Sequence, residues 1–487
     1  MDISQAVETN SRCNDTIIRE ENEVSATPID VSRITAEGTL TRFHFRLLLL
    51  TSLLTLLDGY DITAISFAAP ELAKAWGIAD RSAFAPVFAA SLVGMLIGAP
   101  ALGWAGDRYG RKPAIIFSCL VFGAFTLAMM WASSIEQMMA LRFITGIGMG
   151  GLLPNAAALN AEYAPSRHRA TMIILMYVGT ALGGAIPGPI AAVLAPAYGW
   201  QVLFLIGGAL PVIGAIAAWL WLPESVKYFI LKGGRNEEVA QLVNRLDTPV
   251  RVSAADTFLV GGSERTSSAS VGMLFRGGLR AATPLLWLLF VANLMGYFFL
   301  LSWTPLLLVG SNIPIAKAAI ALSVFQIGGI VGGLSIARPM DWWGLGPVIG
   351  FFVLAVPVIG SIGIVGSSGS ELLLLLVVFL GGFFTLGIQL GLNAICAMIY
   401  PTNVRSLGAG WALGVGRVGS IVGPLVGGML VSANLPIQTL YLYGAIPFAI
   451  GAIGAIGLGL VSKRRFGGRL LADADTVRSG PAPARAP

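Results

Sequence analysis

The sequence predicts an all-α polytopic membrane protein, with twelve transmembrane helices in two pseudo-symmetric six-helix bundles. Three observations point there. Of 487 residues, 55% are hydrophobic and only 11% charged, against roughly 25% charged in a soluble protein. So few charges cannot clothe a soluble surface, and much of this chain must face lipid. Apolar runs near the roughly 20 residues a span requires recur twelve times. The second half also repeats the first.

The runs fall at about 46–70, 83–105, 113–133, 138–161, 170–196 and 200–222, then 282–308, 315–338, 346–366, 371–398, 406–432 and 438–461. The longest polar stretch lies between the sixth and seventh. The expected organisation is therefore an N-terminal tail (1–43), a first bundle (44–225), a central loop (226–281), a second bundle (282–462) and a C-terminal tail (463–487). The N-terminal stretch is polar and mixed in charge, with no apolar core before a small-residue cleavage site. It reads as a cytoplasmic tail, not a signal peptide. The C-terminal tail, rich in Arg, Ala and Pro, reads as disordered.

Lys and Arg set the orientation. Arg108, Arg111 and Lys112 follow span two, and Arg167 and Arg169 follow span four. The central loop holds Lys227, Lys232, Arg235, Arg245, Arg251, Arg265, Arg276 and Arg280, and Lys463, Arg464 and Arg465 follow the last span. The opposite loops offer Lys74, Arg81 and Lys317. This asymmetry places both termini in the cytoplasm and the protein in the inner membrane. It also accounts for the net charge of +6 without a nucleic-acid partner. Cys13, Cys119 and Cys396 form no CxxC, and so neither a disulfide framework nor a metal cluster. His44 and His168 fall near membrane edges.

The repeat rests on several sets of residues. Gly94, Gly98 and Asp107 return as Gly328, Gly332 and Asp341, each 234 positions later. Phe143, Gly146 and Gly151 return as Phe379, Gly382 and Gly387 at an offset of 236, as do Pro165 and Arg169 as Pro401 and Arg405. Gly188-Pro189 returns as Gly423-Pro424 at 235, and Gly59-Tyr60 as Gly296-Tyr297 at 237. A parallel six-helix repeat is a transporter architecture, with its site near the midplane between the halves.

Several motifs carry a family resemblance. The run Gly103-Trp-Ala-Gly-Asp107-Arg108-Tyr-Gly110-Arg111-Lys112 resembles the signature loop of the major facilitator superfamily. Arg142-Phe-Ile-Thr-Gly146-Ile-Gly148 resembles its fourth-span motif, and Pro223-Glu224-Ser225 a form shared by sugar porters and their relatives. More narrowly, Leu57-Asp58-Gly59-Tyr60-Asp61 is similar to a motif of the aromatic acid:proton symporters. So are Leu153-Pro154-Asn155 with Glu162-Tyr163, and Gly416-Arg417 through Gly423-Pro424. The resemblance covers about residues 40 to 465. Two departures stand out. The second-half loop, Ala337 to Gly344, lacks the trailing basic pair. After Asp61 the chain reads Ile62-Thr63-Ala64, where the family pattern places Thr-Ala directly. The resemblance implies proton-coupled uptake of a small aromatic carboxylate by alternating access.

The intramembrane charges supply the chemistry. Asp58 and Asp61 sit mid-span, where a charge costs about 2.5–3.5 kcal/mol on insertion scales and so has a task or a partner. At i and i+3 they share a helix face, and two close buried carboxylates make one a reversible proton carrier. The bland reading is a structural carboxylate bonded across helices. Arg142 and Arg417 hold their charge under essentially all conditions. Each must pair with Asp58, Asp61 or a substrate carboxylate, or with a structural partner. Arg142 is favoured in the proton relay, partly from the resemblance, and Arg417 is the better candidate for the substrate anion. Glu162 is either a late stage of the proton path or a headgroup-level anchor.

Among the membrane amides, Asn155, Gln326 and Asn393 are candidates to line the cavity. Asn160, Asn293 and Gln389 read as helix-to-helix bonds. Tyr60, Tyr177, Tyr297 and Trp303 can stack on an aromatic ring, with Tyr297 and Trp303 preferred. The resemblance implies a gate at Asp107, Arg108 and Arg111, with Asp107 facing a helix N-terminus and the arginines pairing with carboxylates when the inner side is shut; the bland reading is topology control by positive charge. Gly146, Gly148 and Gly151 fit GxGxxG, but inside a span this means close helix packing rather than a dinucleotide fingerprint. There is no GxxxxGK[ST] loop, no Ser/His/Asp set and no metal cluster in the sequence, so no cofactor and no enzymatic activity are expected. The expected partners are an aromatic acid anion, protons and the bilayer, with the chain a monomer. The alternatives are a porter of sugars or non-aromatic organic acids and, from another class, a membrane chemoreceptor for aromatic acids.

Overall fold

Apolar sequence of this length in lipid must satisfy its own backbone, and helices do so within each segment. The computed structural model describes residues 28–246, 251–260, 270–276, 279–367, 369–400 and 404–466. Cys13, Arg265 and Pro401 lie outside these, as do the side chains of Asp341, Arg464 and Arg465. Numbering only the long helices, the first lobe holds α1 (Arg42–Ala75), α2 (Ala85–Tyr109), α3 (Arg111–Ala128), α4 (Ile135–Tyr163), α5 (Arg169–Ala185) and α6 (Gln201–Trp221). The second holds α7 (Leu279–Gly310), α8 (Ile315–Trp343), α9 (Gly346–Ser367), α10 (Glu371–Ile399), α11 (Arg405–Ser432) and α12 (Ile437–Phe466).

Among the described residues, eleven helices are long and apolar enough to cross a membrane. The exception is α4, which has 29 residues but carries Arg142, Asn155, Asn160 and four glycines that dilute its apolar character. It packs against α2 and α3, and these polar side chains are fully buried in protein.

The lobes share a packing plan. In the first, α2 packs on α4, α1 on α5 and α3 on α6; in the second, α8 packs on α10, α7 on α11 and α9 on α12. Glycine sets the approach. A Cβ at Gly94 would lie 2.2 Å from the Phe143 carbonyl oxygen, at Gly98 2.1 Å from that of Ile147, and at Gly146 2.1 Å from that of Ser91. The same three contacts recur between α8 and α10: Gly328 on Phe379, Gly332 on Phe383 and Gly382 on Phe325. The sequence repeat is thus a repeat of backbone contacts.

Span five is broken. Pro187 starts a second helix, Pro187–Val193, after α5. Pro189 has no N–H for the Ala185 carbonyl four residues earlier, and the Ser323 hydroxyl of α8 donates to that oxygen instead (2.7 Å).

The central segment is partly ordered. Short helices Val226–Lys232 and Asn236–Asn244 bury Val226, Phe229, Val239 and Val243 against the first lobe. Ahead of α1, strand β1 (Ile29–Asp30) pairs in parallel with β2 (Phe258–Leu259), a small departure from all-helical structure. The helix Val31–Glu37 follows, and its Ala36 carbonyl accepts from Ser166 N at the α4–α5 turn.

Candidate functional site

Two buried carboxylates one turn apart on α1 meet different surroundings. Asp61 Oδ1 accepts from Thr126 Oγ1 of α3 (2.7 Å), and Oδ2 accepts from Arg142 Nη1 of α4 (2.8 Å). Arg142 also donates to the Asp61 carbonyl through Nη1 and Nη2, each at 3.2 Å. Both side chains are fully buried. This closes the choice left open for Arg142: its ion partner is Asp61.

Asp58 is equally buried, yet neither carboxylate oxygen has a hydrogen-bond partner among the described residues. The opposite charge that acts on it is Arg417, from α11 of the other lobe. Tyr177 of α5 interacts electrostatically with both. The Arg417 guanidinium enters no ion pair among the described residues, and its backbone carbonyl accepts from Ser420 Oγ. A carboxylate, a phenol and a guanidinium thus converge from α1, α5 and α11. The arrangement can exchange a proton at Asp58 and grip an anion at Arg417.

On the second lobe, Tyr297 of α7 donates to Gln326 Oε1 of α8 (3.2 Å) and lies stacked on Phe325, centroids 6.0 Å apart at 27°. Gln326 Nε2 faces Gly184 of α5, so this pair also borders the first lobe. Asn393 is exposed on α10, one turn beyond Gln389, which accepts from Asn293 (2.9 Å).

Two cavity candidates lie elsewhere. Asn155 is fully buried at the loop end of α4: its Oδ1 accepts from Arg111 Nη1 (3.1 Å), and its Nδ2 donates to the Leu102 and Gly151 carbonyls. Trp303 is fully buried, edge-on to Phe88 of α2, and its Nε1 donates to the Pro424 carbonyl (3.0 Å). Both amide and indole are consumed by protein, so the substrate-binding expectation for these two is corrected. Tyr60 is likewise spent on the Leu203 carbonyl (3.0 Å).

The loop between α2 and α3 forms a second cluster. Arg111 pairs with Asp107 and reaches Glu162 Oε1 at 3.7 Å, and the Ser225 hydroxyl donates to Glu162. Asp107 does not occupy the helix N-terminus expected of it. That place belongs to Glu224, whose Oε1 accepts from the backbone N–H groups of Arg111 (2.8 Å) and Lys112 (3.2 Å) at the start of α3. Burial pushes the Glu224 carboxyl up from its usual range, and the backbone donors of Ser225, Lys112 and Arg111 pull it back. Arg108 stands outside this network, over Trp104 at 5.5 Å and Tyr109 at 5.9 Å. Glu162 sits with the gate residues, away from the α1 aspartates.

Sequence reasoning missed Thr126, which no motif marked, and gave Glu224 no role although Pro223-Glu224-Ser225 was visible.

The lobes touch at the end away from the chain termini. Arg81 Nη1 donates to the Leu306 carbonyl (3.3 Å), Ser323 bonds Ala185, and Gly428 packs on Ala85. Among the described residues the first two of these are the hydrogen bonds between the lobes, and the gate cluster makes its hydrogen bonds and ion pairs within its own lobe.

Residues 51–371 match the Major Facilitator Superfamily. The chain is 35% identical over 436 residues to the 4-hydroxybenzoate transporter PcaK of Pseudomonas putida, covering 89% of this chain and 96% of that one. It is 33% identical over 433 residues to the gallate transporter of the same species, covering 89% and 95%. Among solved structures, an inward-facing, unoccupied bacterial homolog of the human lysosomal transporter Spinster superposes with a TM-score of 0.66 at 17% identity, over 91% of this chain and 100% of that one. The xylose transporter XylE from E. coli gives 0.64 at 15%, over 85% and 97%. At these identities the two structures establish a shared fold.

Proposed function

Since the chain belongs to the major facilitator superfamily, we propose that it takes up a small aromatic carboxylate with protons across the cytoplasmic membrane by alternating access. The names of its relatives support the substrate class. One observation carries the mechanism: among the described residues Asp58 is a buried carboxyl with no hydrogen-bond partner, and the charge of Arg417, which enters no ion pair there, acts on it across the lobe boundary.

Asp58 is the proton carrier. Charged, it competes with an incoming carboxylate for Arg417; protonated, it leaves the guanidinium to the substrate as a bidentate partner. Loading thus requires the proton first. The Asp61–Arg142 pair stays intact beside it as fixed structure, with Thr126 orienting the carboxylate. The Tyr297–Phe325 stack presents ring surface to the aromatic substrate, and Gln326 and Asn393 supply polar contacts from the second lobe. Asp107, Arg111, Glu162 and Glu224 form the gate at the end bearing the termini, and Arg108 is free to join it when that end shuts. The basic loops of that end favour a cytoplasmic location for both termini, and the chain acts as a monomer.

Uptake into proteoliposomes with a labelled panel tests this: 4-hydroxybenzoate, benzoate, gallate and a hexose, with and without an inward proton gradient. Aromatic acids accumulate only with the gradient. Asp58→Asn abolishes accumulation while leaving substrate exchange, and Arg417→Lys raises KM. Full gradient-driven accumulation by Asp58→Asn would refute the coupling, and hexose uptake alone would refute the substrate class.

A further inference from the structure

At the end bearing the termini, a cleft of about 870 Å³ opens between the start of α1 and the end of α6. Arg42, Arg46 and Arg245 line it with Phe43, Phe45 and Trp221, and no Asp or Glu is among its lining residues. None of the three guanidiniums enters an ion pair among the described residues, and all three residues are exposed. Three cations around one cleft, none with an ion-pair partner among the described residues, call for an anion. The cleft also adjoins the N-terminus of a 34-residue helix, whose dipole favours the same sign.

The surroundings identify the anion's carrier. Phe45, Leu49 and Leu53, one turn apart on α1, are 61%, 72% and 49% exposed, and run from the cleft along the outside of the helix. Trp221, 74% exposed, with Trp219, Leu220 and Ile216 does the same on α6. An aromatic rim at the end of spanning helices marks the headgroup level of a bilayer. Charge lies at that level, and two apolar tracks descend from it. A free phosphate or a soluble acid would use the arginines but not the tracks.

We propose that this cleft binds the headgroup of an anionic phospholipid, with the phosphate among Arg42, Arg46 and Arg245 and the acyl chains along the exposed faces of α1 and α6. Basic pockets beside spanning helices are suited to such headgroups. The site is separate from the Asp58–Arg417 centre and takes no part in the proton step. A lipid seated there clamps the start of α1, which carries both aspartates, to the end of α6.

The test is native mass spectrometry of the full-length, delipidated protein in neutral detergent. It is titrated separately with dioleoylphosphatidylglycerol, dioleoylphosphatidylcholine and inorganic phosphate. The phosphatidylglycerol complex forms at least about tenfold more tightly than the phosphatidylcholine complex. Arg42→Gln/Arg46→Gln/Arg245→Gln weakens it on the order of 100-fold, at roughly fivefold per arginine. Should the triple variant not fold, Arg245→Gln alone reads the single fivefold loss. An equal loss in Arg251→Gln/Arg276→Gln/Arg280→Gln would reduce the effect to diffuse surface charge and overturn the site. Competition by millimolar inorganic phosphate alone would assign a free anion instead. Phosphatidylglycerol binding that appears only after deletion of residues 1–27, which carry Glu20, Glu21 and Glu23, would give the cleft to the chain's own tail.

Discussion

At the centre of α1 the first lobe buries Asp58 and Asp61; at the matching register of α7, fixed by Gly59-Tyr60 and Gly296-Tyr297, the second lobe carries Met295 and Phe298. Arg142 of α4 corresponds in the same way to Val378 of α10. The frame beneath is shared, since Gly94, Gly98 and Gly146 meet the same backbone carbonyls as Gly328, Gly332 and Gly382. The difference teaches that the helix contacts of this fold do not need the buried charges. One lobe builds the plan with an ion pair at its heart and the other with a phenylalanine and a valine. The packing plan alone thus gives no reason for the charges, which is what the proposed transport role of Asp58 would supply.

The largest expected effect comes from breaking the charged version halfway. Asp61→Asn leaves Arg142 buried without its counter-ion and lowers stability by about 3–5 kcal/mol, read as thermal unfolding in detergent. The double variant Asp61→Phe/Arg142→Val, which copies the second lobe, recovers most of that loss and transports nothing. A double variant no more stable than Asp61→Asn would show that the lobes differ in frame after all.

Next come the shared contacts. Gly98→Ala and Gly332→Ala place a Cβ 2.1 and 1.9 Å from the carbonyl oxygens of Ile147 and Phe383. Each is expected to cost about 1–3 kcal/mol, and the two costs should match. A cost confined to one lobe would limit the symmetry to appearance.

A smaller effect is expected at Glu224, which caps α3 in the first lobe; the repeat position of Arg111 is Leu345, which has no charge to offer. Glu224→Ala removes a cap to two backbone N–H groups and lowers stability by about 1 kcal/mol. The smallest is Asp58→Asn, which removes a carboxylate with no hydrogen-bond partner among the described residues and leaves the unfolding temperature unchanged or raised. A marked loss of stability there would mean that Asp58 is a structural carboxylate, and the transport reading would fall with it.

Much of this was legible before any coordinates, for reasons tied to lipid. Apolar runs mark spans because the bilayer core admits little else, and Asp58, Asp61, Arg142 and Arg417 stood out because such residues are rare there. Glycine spacing gave the repeat because close helix approach tolerates no side chain. What a one-dimensional reading could not supply was partnership. That Arg142 pairs with Asp61, and that the charge of Arg417 acts on an otherwise unbonded Asp58 among the described residues, depends on which helices meet. So does the fate of Asn155 and Trp303, whose polar atoms are occupied by Arg111 and Pro424. Thr126 looked like any other small polar residue in a span. Glu224 lay in a visible motif, yet its target is 113 residues away in sequence.

The missing rung in span five has one more consequence. Pro189 leaves the Ala185 oxygen to be completed by the Ser323 hydroxyl of the opposite lobe. On the proposed alternating-access cycle, parting of the lobes would break this bond, and water entering the outer vestibule would take the place of Ser323. The exchange of one neutral bond for another is close to even, about 1 kcal/mol net, which makes the contact a catch that holds and releases and never a lock.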